Sequence, residues 1–372
     1  MHVLIAGGGV GGLCLAQGLR RAGVEVTVFE RDTAIAVREQ GYRIHIDDNG
    51  GDALRRCLSG ESFELYLATS TTLGPAKVRA LDHRGRELSE FPVGNSVHTA
   101  VNRLTLREIL AHGLGDALRF DARVTGFVEH DDRVEVCLAD GDRVTGDVLV
   151  AADGINSLVR SRLLPDAELV DTGLRCVYGR TPLDAVTVPE RLRHGFTSVA
   201  DRRGHSMALA VFDPRRPITA PFLTPVAGYL MWAVLVAQQR LSRAQRSLWD
   251  NGSLHVLAGR LVDGWHPELR EFVARAEVDA CFAVPIRSSV AVPPWPTGRV
   301  TLLGDAIHAM TPAGGKGANT ALRDAALLSE QLTEADRGTA RLEATLGEYE
   351  TRMREYGFRA VAESLRTVEA TR

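Results

Sequence analysis

Lysine is nearly missing from this chain: of 44 basic residues only Lys77 and Lys316 are lysines, and the rest are arginine. The arginine bias reads as genome composition, not as phosphate recognition. Acidic residues number 47, so the net charge is −3 and no global field draws the chain to nucleic acid or an anionic membrane. Cysteine is also sparse. Cys14, Cys57, Cys137, Cys176 and Cys281 are scattered, odd in number and never spaced CxxC. That argues against a disulfide frame and against a zinc or other metal site, and fits a reducing cytoplasm. No run approaches the ~18 continuous apolar residues of a spanning helix. The chain enters its first strand with no charged leader, and it holds no repeat or low-complexity tract. A cytoplasmic protein without a membrane span is expected, with a monomer and a homodimer equally open.

What is present starts at the N-terminus. His2 to Ala6 (HVLIA) is a short apolar run bounded by glycine, the pattern of a buried parallel strand. Gly7, Gly9 and Gly12 follow as GxGxxG, and from Leu13 the apolar spacing is helical. A second strand, VEVTVFE, ends at Glu30. This strand, turn, helix and strand form the unit that binds an ADP group. Gly7 permits the tight turn, Gly9 lets the backbone approach a pyrophosphate, and Gly12 lets the helix pack on the strand. The helix N-terminus offers unpaired N–H groups and a partial positive charge to the phosphates. Glu30 is placed for a ribose diol. The unit alone does not separate NAD from FAD.

Two later stretches bear on that choice. The segment VTGFVEHDDRVEVCLADGDRVTG alternates apolar runs with turns, as an antiparallel meander does, and leads into VLVAADGINSLVR, with Asp153-Gly154 at the end of a strand. Further on, RVTLLGDAIHAMTPAGGKGANTALRDAALL breaks from a strand on Gly304-Asp305. It crosses a turn with Pro312, Gly315, Gly317 and Asn319 and enters a helix over Thr320 to Leu332. With GGGVGG at 7–12, ADGINSLVR at 152–160 and GDAIHAMTPAGGKGANTALRDA at 304–325, the chain closely resembles the para-hydroxybenzoate hydroxylase-like family, the single-component (group A) FAD-dependent monooxygenases. The three motifs stand in the family's order.

The resemblance implies an α/β fold: a Rossmann-like FAD-binding domain, an inserted antiparallel β-sheet substrate domain and a C-terminal helix. Residues 1–72, 96–172 and 283–340 would form the FAD domain. Residues 73–95 would add strands to the substrate domain at 173–282, and 341–372 would be the last helix. It also implies cofactor contacts. Gly7, Gly9, Val10, Gly11, Gly12, Glu30 and Arg31 would hold the ADP half, with Arg103 near the phosphate or ribose and Val124 at the adenine. Arg38 would contact NAD(P)H or FAD. Asp153 serves both nucleotides in the family, and Asp305 would bond the ribitol. Pro312, Gly315, Lys316, Gly317, Ala318 and Asn319 would lie at the flavin ring, where a helix N-terminus stabilises charge near N1 with no side chain needed. Lys316 would reach either the ring or solvent, and His308 reads as a buried, hydrogen-bonded histidine.

The implied activity is reduction of FAD by NADPH or NADH, followed by O₂ transfer through a C4a-hydroperoxyflavin to an apolar, aromatic or polycyclic small molecule. His45, Tyr178, Met207, Phe212, Met231 and Trp232 are the candidates for lining its pocket, and Arg43 lies beside His45. Three other readings stand beside this one. A flavin-dependent halogenase needs a WxW signature that Trp232, Trp249, Trp265 and Trp295 never form, and a free active-site lysine. A plain NAD dehydrogenase leaves the 304–325 motif unexplained. A catalytically silent flavin-binding protein fits the same motifs.

Overall fold

A computed structural model describes residues 1–37, 42–247 and 250–370. Arg38 and Trp249 lie outside the described residues. The first apolar run becomes the central strand His2–Ala6 of a five-stranded parallel sheet. Its order is Val300–Leu302, Val148–Ala151, His2–Ala6, Glu25–Phe29 and Leu118–Arg119. The inner strands are apolar along most of their length because they are covered by helix Val10–Arg21 and by the strands Val134–Leu138 and Arg143–Gly146. The three motifs of the sequence thus leave the ends of neighbouring strands in one sheet, which brings residues three hundred positions apart side by side.

A second sheet has eight strands, in the order Phe282–Ser289, Leu169–Pro182, Tyr229–Ala237, Ser206–Phe212, Phe196–Ala200, Thr71–Asp82, Glu87–Asn102 and Arg43–Ile46. All neighbours run antiparallel except Phe196–Ala200 against Thr71–Asp82. Two strands expected within FAD-domain segments, Arg43–Ile46 and most of Phe282–Ser289, pair instead at opposite edges of this sheet. The meander forms a separate three-stranded sheet, Val124–Glu129, Val134–Leu138 and Arg143–Gly146. Helix Gly317–Asp336 packs on Val10–Arg21, on Asp48–Cys57 and on the 29-residue helix Leu342–Ala370. It begins three residues before the expected start, on the glycine itself. Among the described residues no helix is long and apolar enough to cross a membrane.

Strand periodicity divides the eight-stranded sheet into two faces. Val177, Met207, Leu209, Leu230, Trp232 and Val234 turn to one side and form a core with Leu254 and Leu257 of helix Asn251–Leu261 and Leu269 and Phe272 of Pro267–Ala274. Leu174, Cys176, Tyr178, Ala208, Ala233 and Leu235 turn to the other side, where Ala313 of the glycine turn packs against them. This corrects two expectations. Met207 and Trp232 do not face the glycine turn, because their parity along the strand sends them to the other side. Trp232 is fully buried there, donates from Nε1 to Thr181 Oγ1 at 3.2 Å, and lies against Gly179, where a Cβ would come within 2.0 Å of the indole.

Candidate functional site

The turn at Gly7 is fixed by sterics. Gly7 has φ +110°, and a Cβ there would sit 2.3 Å from the Ala152 carbonyl oxygen. A Cβ on Gly12 would come within 2.2 Å of the Gly7 oxygen. Gly9 differs, because a Cβ there would meet nothing within 4 Å. It is the N-cap of helix Val10–Arg21, which has no side-chain cap and no acid in its first turn. Its leading N–H groups therefore face open space with the positive end of the helix behind them. Gly9→Val is expected to leave the melting temperature of the cofactor-free protein unchanged while weakening FAD binding by at least about tenfold, a loss of roughly 1.4 kcal/mol. Flavin fluorescence titration beside a thermal melt reads both.

Glu30 closes the other side of this cradle. Its carboxylate accepts from Gly8 N and Asp32 N, each at 3.0 Å. Arg107 is a brace the sequence reading missed. It is buried, donates from Nε and Nη2 to the Gly8 oxygen at 3.2 and 3.1 Å, and lies 3.6 Å from Glu30. Its only sequence signal was an arginine in the first turns of a helix, which a solvated face explains equally well. Arg31 is exposed just past the strand. Val124 opens its strand two residues after Ala122, whose N–H donates to the Glu30 oxygen at 2.9 Å. Asp153 follows the strand beside Gly7. Its Oδ2 accepts from Leu158 N at 3.0 Å, while its Oδ1 is buried with no partner, and burial lifts the carboxyl above its usual range.

The second glycine turn stands at the far end. Gly314 and Gly315 have φ +79° and +63°, the left-handed region that favours glycine. Pro312 is exposed at the turn's start, and Gly317 and Ala318 open a helix capped by Lys316 without a side-chain hydrogen bond. Asn319 spends its side chain on the protein. Its Oδ1 accepts from Asp47 N at 3.0 Å, and its Nδ2 donates to the His45 and Gly315 oxygens at 2.8 and 2.9 Å. Strand Arg43–Ile46 is thereby tied beside the turn, and a Cβ on Gly315 would stand 3.5 Å from His45 Cβ. His45 is held neutral. Burial, then Arg43 and His98, push it down to about 3.

Between the two turns, Asp305 is exposed at the end of its strand, with protein crowded around its carboxyl. Burial lifts its carboxyl above the usual range, against the pull of His308 and Arg103. Arg103 begins helix Arg103–Ala111, and its N–H donates to the Tyr42 oxygen at 2.6 Å. His308 is fully buried, with Nε2 at 2.6 Å from Asp324 Oδ2, the hydrogen-bonded histidine that the motif suggested. Lys316 turns away from the cleft to pair with Glu363 of the last helix. Because the ion pair is partly exposed, Lys316→Gln is expected to cost under about 1 kcal/mol of stability and to leave FAD bound. A melt and a flavin spectrum check this.

The residues fit an extended dinucleotide. An uncapped helix with a glycine cradle lies at one end, an uncapped helix behind a left-handed glycine turn at the other, and Asp153 and Asp305 follow the strands between. Such a fold and site define a flavoprotein of the FAD-binding class. A family model described as the FAD binding domain matches residues 1–364, and the chain belongs to that family, the para-hydroxybenzoate hydroxylase-like FAD monooxygenases. It is 32% identical to the dual O-methyltransferase/FAD-dependent monooxygenase CTB3 of Cercospora beticola over 95% of this chain and 44% of that one. It therefore spans less than half the length of that relative. It is also 32% identical to the aurachin C monooxygenase/isomerase of Stigmatella aurantiaca, covering 94% of this chain and 84% of that one. A solved structure from Photorhabdus luminescens subsp. laumondii, provisionally described as a FAD-containing monooxygenase, superposes with a TM-score of 0.89. It is 32% identical, with coverage of 100% of this chain and 98% of that one.

Proposed function

We propose that the protein is an NAD(P)H- and O₂-dependent FAD monooxygenase that oxygenates an apolar, aromatic small molecule. One observation carries the substrate class. Five rings form a continuous chain on the side of the eight-stranded sheet that faces the glycine turn, with Tyr178 and Phe282 half-buried and Tyr42, Tyr229 and Phe212 buried: Tyr178 stacks on Phe282 at 5.0 Å, and Phe282 meets Tyr42 at 5.4 Å. Tyr42 meets Tyr229 at 6.1 Å, and Tyr229 meets Phe212 at 5.1 Å. The half-buried pair Tyr178 and Phe282 would offer offset or edge contacts to a planar ring, with the buried rings fixing their position. FAD, when bound, supplies the redox chemistry, taking reducing equivalents from NAD(P)H and activating O₂.

The chain's own residues do the rest. The N–H groups that open helix Gly317–Asp336 offer positive potential to charge developing at the ring edge. Neutral His45 keeps a hydrogen-bonding group there without adding a charge. The apolar side chains Leu174, Leu235 and Ile286 exclude water from the ring and its substrate. The halogenase reading loses support because both lysines are engaged, Lys77 with Glu90 at 2.6 Å and Lys316 with Glu363.

The purified protein is expected to show flavin absorbance, and to oxidise NADPH faster when an aromatic substrate is present, with little H₂O₂ released. Bound FAD with NADPH oxidation at background across an aromatic panel sinks the monooxygenase reading in favour of a silent flavin-binding protein. A protein that takes up no flavin sinks both.

A further inference from the structure

Strands Ser206–Phe212 and Tyr229–Ala237 are antiparallel neighbours with Phe212 opposite Tyr229, yet the chain takes residues 213–228 to pass from one to the other. That connection holds no helix or strand. A structureless connection beyond about 12–15 residues is uncommon in a compact domain, and most that persist are functional. Its first part is anchored. Asp213 exchanges hydrogen bonds with Thr71 at 2.7 and 2.8 Å, Ile218 and Leu223 are buried, and Phe222 stacks on His112, just past helix Arg103–Ala111, at 3.8 Å.

The last part, residues 224–228, is a strap between buried Leu223 and buried Tyr229, with Thr224, Pro225 and Ala227 exposed on its outer side. Beneath it lies a cavity of about 260 Å³ whose other walls include Tyr42, Asn102, Leu104, Arg180 and Glu277. Benzene occupies a buried space of roughly 150 Å³, so a small aromatic fits. Arg180 stands two residues beyond Tyr178 on the same face of its strand, about 7 Å along, so the cavity opens one step from the half-buried pair Tyr178 and Phe282. The strap's far end is tied, the Gly228 oxygen accepting from Leu183 N at 3.1 Å. Among the described residues, 216–227 hydrogen-bond to the rest of the chain through Thr224 alone, and both bonds end on one carboxylate. The Thr224 N–H donates to Glu108 Oε2 at 3.0 Å and its hydroxyl to Oε1 at 2.5 Å. Glu108 is buried one residue past Arg107, the brace of the Gly8 oxygen, and about 100° further round the helix. One helical turn thus holds the cofactor cradle on one side and the strap on another.

We propose that residues 224–228 are a gate through which the aromatic substrate enters this cavity, and that Glu108 is the positioning residue that latches it. The inference rests on reading the substrate as an aromatic small molecule. Hydrogen bonds to an ionised acceptor are stronger than neutral ones, so the latch holds the strap shut until both bonds to Thr224 part together. Pro225 fixes one backbone angle in the strap, which therefore swings as a stiff piece between its two buried ends. Loosening such a latch changes how fast a ligand passes, and not how tightly it is held once inside.

The test is stopped-flow binding of 2-naphthol to the FAD-loaded protein, followed by perturbation of the flavin spectrum. Glu108→Gln sets an amide N–H against one donor of Thr224. It is expected to raise the association and dissociation rates together by at least about threefold and to keep Kd within about twofold. Thr224→Val removes only the hydroxyl and is expected to raise both rates by a smaller factor. Amide hydrogen exchange, read by mass spectrometry, is expected to quicken by at least about threefold in the peptide spanning 224–228 of Glu108→Gln and to stay unchanged in helix Arg103–Ala111. Rates within about 1.5-fold of wild type in both variants, or exchange of the strap that does not change, overturn the proposal. So does weaker binding at an unchanged association rate, which would make Thr224 a substrate contact, and so does no binding of 2-naphthol at millimolar concentration. If Glu108→Gln does not fold, the rates and strap exchange of Thr224→Val against wild type decide the matter. Coupled oxygenation with unaltered rates in both variants would sink the gate and leave the proposed activity standing. Gated binding of 2-naphthol without coupled NADPH oxidation would do the reverse.

Discussion

Asp324→Ala is expected to cost about 3–5 kcal/mol of stability and to release FAD, because it strips the acceptor from two buried donors and a half-buried third at once. Asp324 and His308 are both fully buried. The Asp324 carboxylate accepts from Gly304 N at 2.8 Å, His308 Nε2 at 2.6 Å and Tyr356 OH at 2.6 Å. The first bond sets the turn that carries Asp305, and the last ties in the C-terminal helix. Removing the carboxylate leaves a charged or unsatisfied histidine in the core, which collapse of the site does not repair. Denaturant unfolding and flavin retention on desalting measure both effects. A loss under about 1 kcal/mol would place the weight of the turn elsewhere.

The same cluster sets a pH dependence. Burial pushes His308 down, but the Asp324 carboxylate, its hydrogen bond and Asp305 outweigh that, so its pKa is raised. A raised folded pKa gives stability that is complete below the unfolded value of about 6.5 and fades as pH climbs through the folded value. Wild type is therefore expected to lose its advantage over His308→Gln progressively from about pH 6.5 upward. Parallel chemical melts from pH 5.5 to 9 would show a constant difference if His308 did not titrate there.

Trp232→Ala is the second large effect, and its value lies in what it leaves untouched. Truncating a fully buried tryptophan opens a cavity worth about 3–5 kcal/mol. Trp232 packs behind the sheet with Val234, Leu254 and Phe272, away from the chain of rings. FAD affinity and substrate KM are therefore expected to be unchanged below the new melting temperature, whereas Tyr178→Ala should raise KM with little loss of stability. If both substitutions moved KM alike, the assignment of the two faces would fail.

Trp232 also shows how far the sequence could be read. Glycine spacing between a strand and a helix marks a backbone requirement, so the two turns and the acid at Glu30 were legible from local pattern alone. The strand runs of the substrate sheet were also legible, but those carrying Met207 and Trp232 are apolar on both sides. With a helix layer behind and the cleft in front, hydrophobicity does not distinguish the faces. Parity does, yet it needs the register of Gly179 opposite Trp232, which only the folded sheet supplies. Arg107 was hidden for a different reason. In a chain with this much arginine, a buried cation does not stand out from solvated ones until its partners are seen.

The eight-stranded sheet draws residues 43–46, 71–102 and 169–289 from between segments of the cofactor domain. The chain passes back and forth between the two sheets, so no single pair of cuts would lift out the recognition surface as a cassette. Recombination between relatives would break hydrogen-bonded edges at several junctions. Point changes that leave both sheets intact on that face are confined by alternation to every second residue of each strand. A library confined to positions such as Leu174, Cys176, Ala208, Ala233 and Leu235 would sample new chemistry while the back of the sheet stays fixed.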